Sequence, residues 1–496
     1  MKPLPTEVSL DPENWDELSR VAHQALDDAL ATLRDVRDGP PWRPLTPAAR
    51  AELGEGVPRR PTALGAVYEQ FRRAILPFRT GNVHPRFWGW VMGTGTAEGV
   101  VADLLASAMN CHVGGYDQSA SEVERRVVAW LAELMGYPAA ASGLLVSGAT
   151  VANLTGLAVA RSVAAGFDVR KDGLAGHPRL RVYGSRETHS WAEKCCDLLG
   201  LGREGFKRVA VDSEGRIEIA ALRAALREDR TAGVRPMCVV GNAGTVDGGA
   251  IDDLDALADL CAEERLWFHI DGAFGALANL SPRLRPALRG LARSDSLAFD
   301  LHKWGYLQYE VGCVLVRDRA AHRSTFQTAA EYLRPLARGI QPGPLEFADL
   351  GIELSRGFRA LRVWMSLKTH GVERLAQVIE QNVEQARSLA DRVRAEPELE
   401  LLGPVPLNVI CFRYRGRGMA DAVLDDLNRE IVVRLQEDGI AIVSSTRRGG
   451  HLALRLAITN HRSRQEDFDV LVDAVLRLGR EPAVATKAGD PRSGSL

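Results

Sequence analysis

Through the middle of the chain, short apolar runs alternate with stretches of helical spacing. Residues 143–146, 180–183, 237–240, 266–270, 297–299 and 312–316 are brief and bounded by turn formers, so they read as strands. Between them, apolar positions recurring every three or four residues predict helices from Ser147-Gly148 to about Ala165, over 189–199 and over 251–264. Such alternation predicts an α/β fold: a mostly parallel sheet covered by helices on both faces. In sheets of this kind ligands collect at the carboxyl ends of the strands. His189, Thr245, Asp271 and Lys303 all fall just after predicted strand ends.

The flanks read differently. Residues 15–36 have helical apolar spacing, broken afterwards by prolines at 40–41, 44 and 47. The segment 1–85 is too thin for a core of its own and is expected to pack on a second subunit. Two helices are predicted within 98–136, and a large α/β domain over 86–375. Residues 320–350 read as a long connection, the sort of stretch that is usually a mobile functional loop. Helix returns over 355–371. A helix (377–394), a strand (409–414), a helix (420–438) and strands near Ile440 and Leu452 predict a small α+β domain over 376–482, followed by a disordered tail, 483–496.

Composition narrows the function classes. With 496 residues, 46% hydrophobic, 25% charged and a formal net charge of -2, the chain gives no reason to expect nucleic acid or an anionic membrane as partner. Seven cysteines, two of them adjacent (Cys195-Cys196), show neither a metal-ligand spacing nor a disulfide framework, so no metal and a reducing cytoplasm are expected. The first residues lack the apolar stretch of a secretory signal, and no apolar run approaches about 18 residues, the length a membrane span needs.

The chemistry starts at Lys303. The chain has only seven lysines, and this one stands between His302 and Trp304 at the mouth of an apolar strand. A desolvated lysine has a lowered pKa and attacks aldehydes, as a Schiff base requires; alternatively Lys303 ends its strand and snorkels to water. Asp271 closes Trp267-Phe268-His269-Ile270-Asp271 and precedes Gly272-Ala273, small residues that let a flat ring approach. It could hold a pyridine nitrogen protonated, or merely cap a turn. Ser147-Gly148-Ala149-Thr150 places small residues and hydroxyls at a helix start, a phosphate cradle without the P-loop lysine. A Schiff-base lysine, an acid, an imidazole and a phosphate cradle together describe a pyridoxal 5'-phosphate site.

On these motifs the sequence resembles the group II pyridoxal-phosphate decarboxylases, the family of aromatic-L-amino-acid decarboxylase. The matches run in the family's order: His84-Pro85-Arg86-Phe87, Ser147 to Leu154, Thr188-His189, Gly244-Thr245, His269-Ile270-Asp271, His302-Lys303-Trp304 and Ser355 to Trp364. The resemblance implies a fold-type I enzyme with a seven-stranded sheet, working as a homodimer with active sites at the subunit interface. It makes Lys303 the aldimine lysine, Asp271 the pyridinium partner and His189 the imidazole stacked on the ring, with Ala273 on the opposite face. Ala149, Thr150, Asp300 and His302 would surround the phosphate, and Thr245 would lie beside the cofactor. His84, Phe87, Trp88, Trp90 and Tyr116 fall where it places the substrate pocket, whose aromatic character implies an aromatic or bulky apolar amino acid. Decarboxylation through a quinonoid is the implied reaction.

Two positions depart from the family pattern. Val151 stands where relatives often carry a polar residue. Counted back from Gly357-Phe358-Arg359, Phe347 replaces the loop tyrosine that protonates the carbanion, while Tyr332 matches an earlier position. A phenylalanine there accompanies, in related plant enzymes, O2-consuming conversion to an aldehyde. That outcome, and a non-catalytic homologue that only binds pyridoxal phosphate, are the alternatives.

Overall fold

The structure, a computed structural model, describes residues 8–328, 334, 336–416 and 419–481; Tyr332 and the expected tail 483–496 lie outside them. A seven-stranded sheet has the order β1-β7-β6-β5-β4-β2-β3. Its strands are β1 (Ser142–Val146), β2 (Leu180–Ser185), β3 (Phe206–Val209), β4 (Arg235–Asn242), β5 (Trp267–Asp271), β6 (Ser296–Asp300) and β7 (Gly312–Val316). Only β7 runs against its neighbours, β1 and β6. The carboxyl ends of β1, β2, β4, β5 and β6 therefore share one edge. Every residue of β1, β5, β6 and β7 is buried, as continuous apolar runs in a sheet covered on both faces should be.

A second sheet is antiparallel, in the order β10-β11-β9-β8, built from β8 (Leu399–Leu401), β9 (Val409–Tyr414), β10 (Ser444–Arg448) and β11 (His451–Ala457). Its core lies under helices Asp421–Glu437 and Gln465–Arg480 and includes Phe412, Leu454, Leu456 and Phe468. Strand alternation turns Ala453, Arg455 and Ala457 to the opposite face of β11, and both alanines join the core of the larger sheet.

Several elements depart from the sequence expectation for physical reasons. β3 escapes the pattern because two of its four residues are Lys207 and Arg208; Lys207 reaches Glu228 and Asp229 at 2.6 and 3.2 Å. Helices Ile219–Thr231 and Gln465–Arg480 were likewise not predicted. The helix expected from Ile251 begins at Leu254, since the Asp253 side chain caps it through Ala256 N–H. The two helices expected over 355–394 form one run, Ala360–Ala395, broken at Gly371 where φ is 72°. The connection expected over 320–350 opens on a helix, Arg319–Phe326, and carries a 3-10 turn at Ala348–Leu350.

A buried ion pair lies just after this connection, and its arginine reaches the end of β1. Arg356 and Glu124, both with fully buried side chains, meet at 2.5 Å, and Arg356 also donates to the carbonyls of Val113 and Leu145. Replacing Arg356 by leucine leaves the Glu124 charge without its partner, and is expected to remove about 3–5 kcal/mol of stability. Urea unfolding of the variant against wild type measures this; a loss below about 1 kcal/mol would contradict the assignment.

Candidate active site

The shared strand edge opens into a cavity of about 560 Å3. Ala149, Thr150, His189, Thr245, Asp271, Ala273, Asp300, His302, Lys303 and Trp90 all line it. The fold brings these together because each of them but Trp90 lies at or just after the end of a strand or begins the next helix. Lys303 Nζ lies 3.0 Å from Asp300 Oδ2 and 23% of its side chain is exposed. His302 Nε2 is 3.7 Å from the same oxygen, while its Nδ1 lies 3.1 Å from the Val311 carbonyl oxygen. Burial lowers the His302 imidazole below its ordinary value, against the Asp300 carboxylate.

At the far side, Asp271 Oδ1 accepts from Ala273 N–H at 3.1 Å and Oδ2 from the Trp191 indole N–H at 2.5 Å. The His189 ring opens onto the cavity, and its Nδ1 accepts from Trp191 N–H at 3.1 Å. Any ring proton is therefore on Nε2. Burial lowers the His189 imidazole, again against a carboxylate, Asp271. Beneath it, Asn242 Nδ2 donates to Thr188 Oγ1 and Asp252 Oδ2 at 3.1 and 2.9 Å. Thr245 Oγ1 accepts from Ala250 N–H at 3.0 Å, which pins its loop.

Pyridoxal 5'-phosphate fits this set of groups. The first turn of the 16-residue helix Ala149–Ala164 opens on the cavity with the Thr150 hydroxyl, and the first N–H groups of a helix lack intrahelical acceptors. A Cβ on Gly148 would stand 3.3 Å from His302 Cε1, so glycine keeps this cradle open. Buried Asp300 Oδ1 has no hydrogen-bond partner among the described residues. Asp271 would offer a carboxylate to the ring nitrogen, and Lys303 would be the amine for its aldehyde.

Other expected pocket residues stand elsewhere in this chain. His84 lies 3.1 Å from the Gly39 carbonyl oxygen. Phe87 is buried in a bridge to Ile442. Trp88 stacks on Phe468 at 4.7 Å and donates to Ser463 Oγ, inside the small-sheet core. Tyr116 packs edge-on to His112 at 5.4 Å. Phe347 is 2% exposed, with the Arg356 guanidinium 5.3 Å from its ring centre. Of that expected group only Trp90 reaches the cavity.

Conversely, the cavity holds groups that sequence reasoning passed over: Trp191, Asp247, Tyr309 and Arg455. Arg455 is 3% exposed and donates to the carbonyls of Val246 and Trp90. Its signal was a single charge inside the apolar alternation of β11. Asp247 Oδ1 accepts from the Thr446 hydroxyl at 2.7 Å.

Comparison with known proteins identifies the family. Residues 47–415 match the model of the pyridoxal-dependent decarboxylase conserved domain. The aromatic-L-amino-acid decarboxylase of Bacillus atrophaeus is 32% identical, covering 95% of this chain and 97% of that protein. The L-2,4-diaminobutyrate decarboxylase of Rhizobium meliloti is 31% identical, covering 86% and 84%. The Oryza sativa TDC, solved with PLP and tryptamine, superposes with a TM-score of 0.87 at 27% identity, covering 95% and 99%. The chain belongs to the pyridoxal-dependent decarboxylases, and is a fold-type I carboxy-lyase that acts on an amino acid with pyridoxal 5'-phosphate.

Proposed function

We propose that the chain decarboxylates an aromatic or bulky apolar L-amino acid and releases the amine. The observation that carries this reading is the meeting of Lys303, Asp271, His189 and Arg455 on one cavity walled by Trp90, Trp191, Phe274 and Tyr309. When bound, pyridoxal 5'-phosphate supplies the electron sink that lets the carboxylate leave as CO2. Lys303 holds the cofactor and yields to the substrate amine. Asp271 keeps a proton at the ring nitrogen, and His189 lies against the ring face. Arg455, immobilised by its carbonyl partners, offers a cation to the substrate carboxylate. The aromatic walls favour an apolar side chain and exclude water.

Amine release needs a proton delivered to Cα once CO2 has gone. Phe347 cannot donate one, and its side chain is buried beneath Arg356. Tyr309 brings a hydroxyl to the cavity instead. Partial burial and the Asp300 charge push that hydroxyl up to about 12, so it stays protonated at neutral pH. The presence of Tyr309 on the cavity, rather than this shift, which makes the hydroxyl a weaker acid, supports the amine over the aldehyde, ammonia and peroxide that O2 and water would give.

A second reading rests on Asp247, which lines the same cavity and would pair with a distal ammonium, in keeping with the relative named L-2,4-diaminobutyrate decarboxylase. Both readings work as a cytoplasmic homodimer with the 1–85 segment against the partner. Trp15, Val67, Phe71, Ile75, Leu104 and Met109 are all exposed apolar residues that a second copy would cover.

Incubation with aromatic L-amino acids, L-glutamate and L-2,4-diaminobutyrate, measuring CO2, amine, aldehyde and peroxide together, separates these readings. The expected result is amine from aromatic substrates, with kcat/KM at least about 10²-fold above glutamate. Preference for diaminobutyrate that disappears in Asp247→Asn would favour the second reading, and peroxide matching CO2 without amine would overturn amine release.

A further inference from the structure

Trp191 is the first residue of helix Trp191–Leu198 and is 4% exposed. An apolar residue at a buried helix start ordinarily needs no explanation beyond packing. This one touches both protein groups that would flank the cofactor. Its indole N–H donates to Asp271 Oδ2 at 2.5 Å and its backbone N–H to His189 Nδ1 at 3.1 Å. The ring itself is braced edge-on against His269, with centroids 5.8 Å apart at 75°. His269 is fixed in turn by Ser296 Oγ and Asn153 Oδ1, each 2.7 Å away. The brace therefore extends from β5 and β6 to the helix Ala149–Ala164.

We propose that Trp191 is a positioning residue: through its indole N–H it fixes the orientation of the Asp271 carboxylate, and with it the seat of the pyridine ring. The inference rests on the assignment of pyridoxal 5'-phosphate to this cavity. A carboxylate turns freely about its bond to Cβ unless both oxygens are held. Ala273 N–H holds Oδ1, a contact made by backbone that no side-chain change removes. The indole is the side chain that holds Oδ2. A charge-assisted bond of this length, shielded from water, defines one plane for the carboxylate. In that plane a lone pair remains for a ring N–H entering from the cavity. The backbone bond to His189 survives substitution, so a phenylalanine at 191 isolates the contribution of the indole N–H.

The test uses the full chain and pyridoxal 5'-phosphate itself, in the wild type, Trp191→Phe, Asp271→Asn and the double variant. Cofactor affinity is read by titration of the visible absorption, and ring orientation by the visible circular dichroism of the bound cofactor. Trp191→Phe is expected to weaken binding about 10- to 100-fold, the range for a lost hydrogen bond to a charged group, and to diminish the dichroic band per cofactor bound. In the Asp271→Asn background the same change should have little further effect, because the two act as one unit. Unchanged affinity and an unchanged dichroic band in Trp191→Phe, or additive losses in the double variant, would overturn the proposal. Should the phenylalanine variant fail to fold, Trp191→Met removes the same donor and is read against the same criteria. Failure of the wild type to bind the cofactor would instead count against the cofactor assignment itself, so the two failures are distinguishable.

Discussion

Lys303→Ala is expected to lower turnover at least about 10³-fold, because in the proposed reaction it removes the amine that would hold the cofactor and give way to the substrate amine. The effect should not be a matter of charge. Arginine supplies most of the chain's cations, yet a guanidinium stays protonated and cannot attack an aldehyde. Lys303→Arg should therefore be as inactive as Lys303→Ala, although it keeps a cation near Asp300. In wild type that carboxylate is 2% exposed and has Lys303 at 3.0 Å, with His302 farther off at 3.7 Å. Steady-state assays at saturating cofactor check the prediction, with thermal melts of the cofactor-free proteins as the folding control. Activity of Lys303→Arg within about tenfold of wild type would mean that Lys303 acts as a point charge only.

Asp271→Asn should be the second most damaging change, at about 10²- to 10⁴-fold in kcat/KM. The range follows from about 3–5 kcal/mol for breaking a buried charged pair, at 1.36 kcal/mol per factor of ten. Asp271 is 7% exposed and faces donors on both oxygens, Ala273 N–H and the Trp191 indole. An asparagine can satisfy one of them with its carbonyl but turns an N–H toward the other. It also withdraws the negative charge that, in the proposed reaction, would keep a proton on the ring nitrogen, so the loss should fall mainly on kcat. Assays across a cofactor concentration series separate weaker cofactor binding from slower chemistry. A loss below about tenfold at saturating cofactor would remove Asp271 from the reaction.

The parts of this site that were legible in the sequence share one physical property: they sit where a fully buried strand must end. Asp271 closes one short, fully buried strand and Lys303 follows another, each bounded by turn formers, so their place at the sheet edge follows from the pattern. Gly312–Val316 and Val409–Tyr414 have the predicted bounds for the same reason. Trp191 was invisible because an apolar residue at the start of a helix looks like core. Arg455 was hidden because its role depends on which face of β11 meets the larger sheet, which no local pattern records. The aromatics of 84–90 misled in the opposite direction. Trp88 and Trp90 lie two residues apart, yet one fills the small-sheet core and the other opens on the cavity. Trp90 takes a φ of 54°, a backbone state that pattern reading does not foresee in a tryptophan. Phe347 aligned with a reactive position in the family, and in this chain its ring packs beneath Arg356.

The most direct test of the account is chemical. Treating the wild-type holoenzyme with borohydride and mapping its peptides should find the phosphopyridoxyl group on Lys303, with no turnover remaining. A label on another lysine, or no label on a protein that still decarboxylates amino acids, would contradict the central claim that Lys303 carries the cofactor.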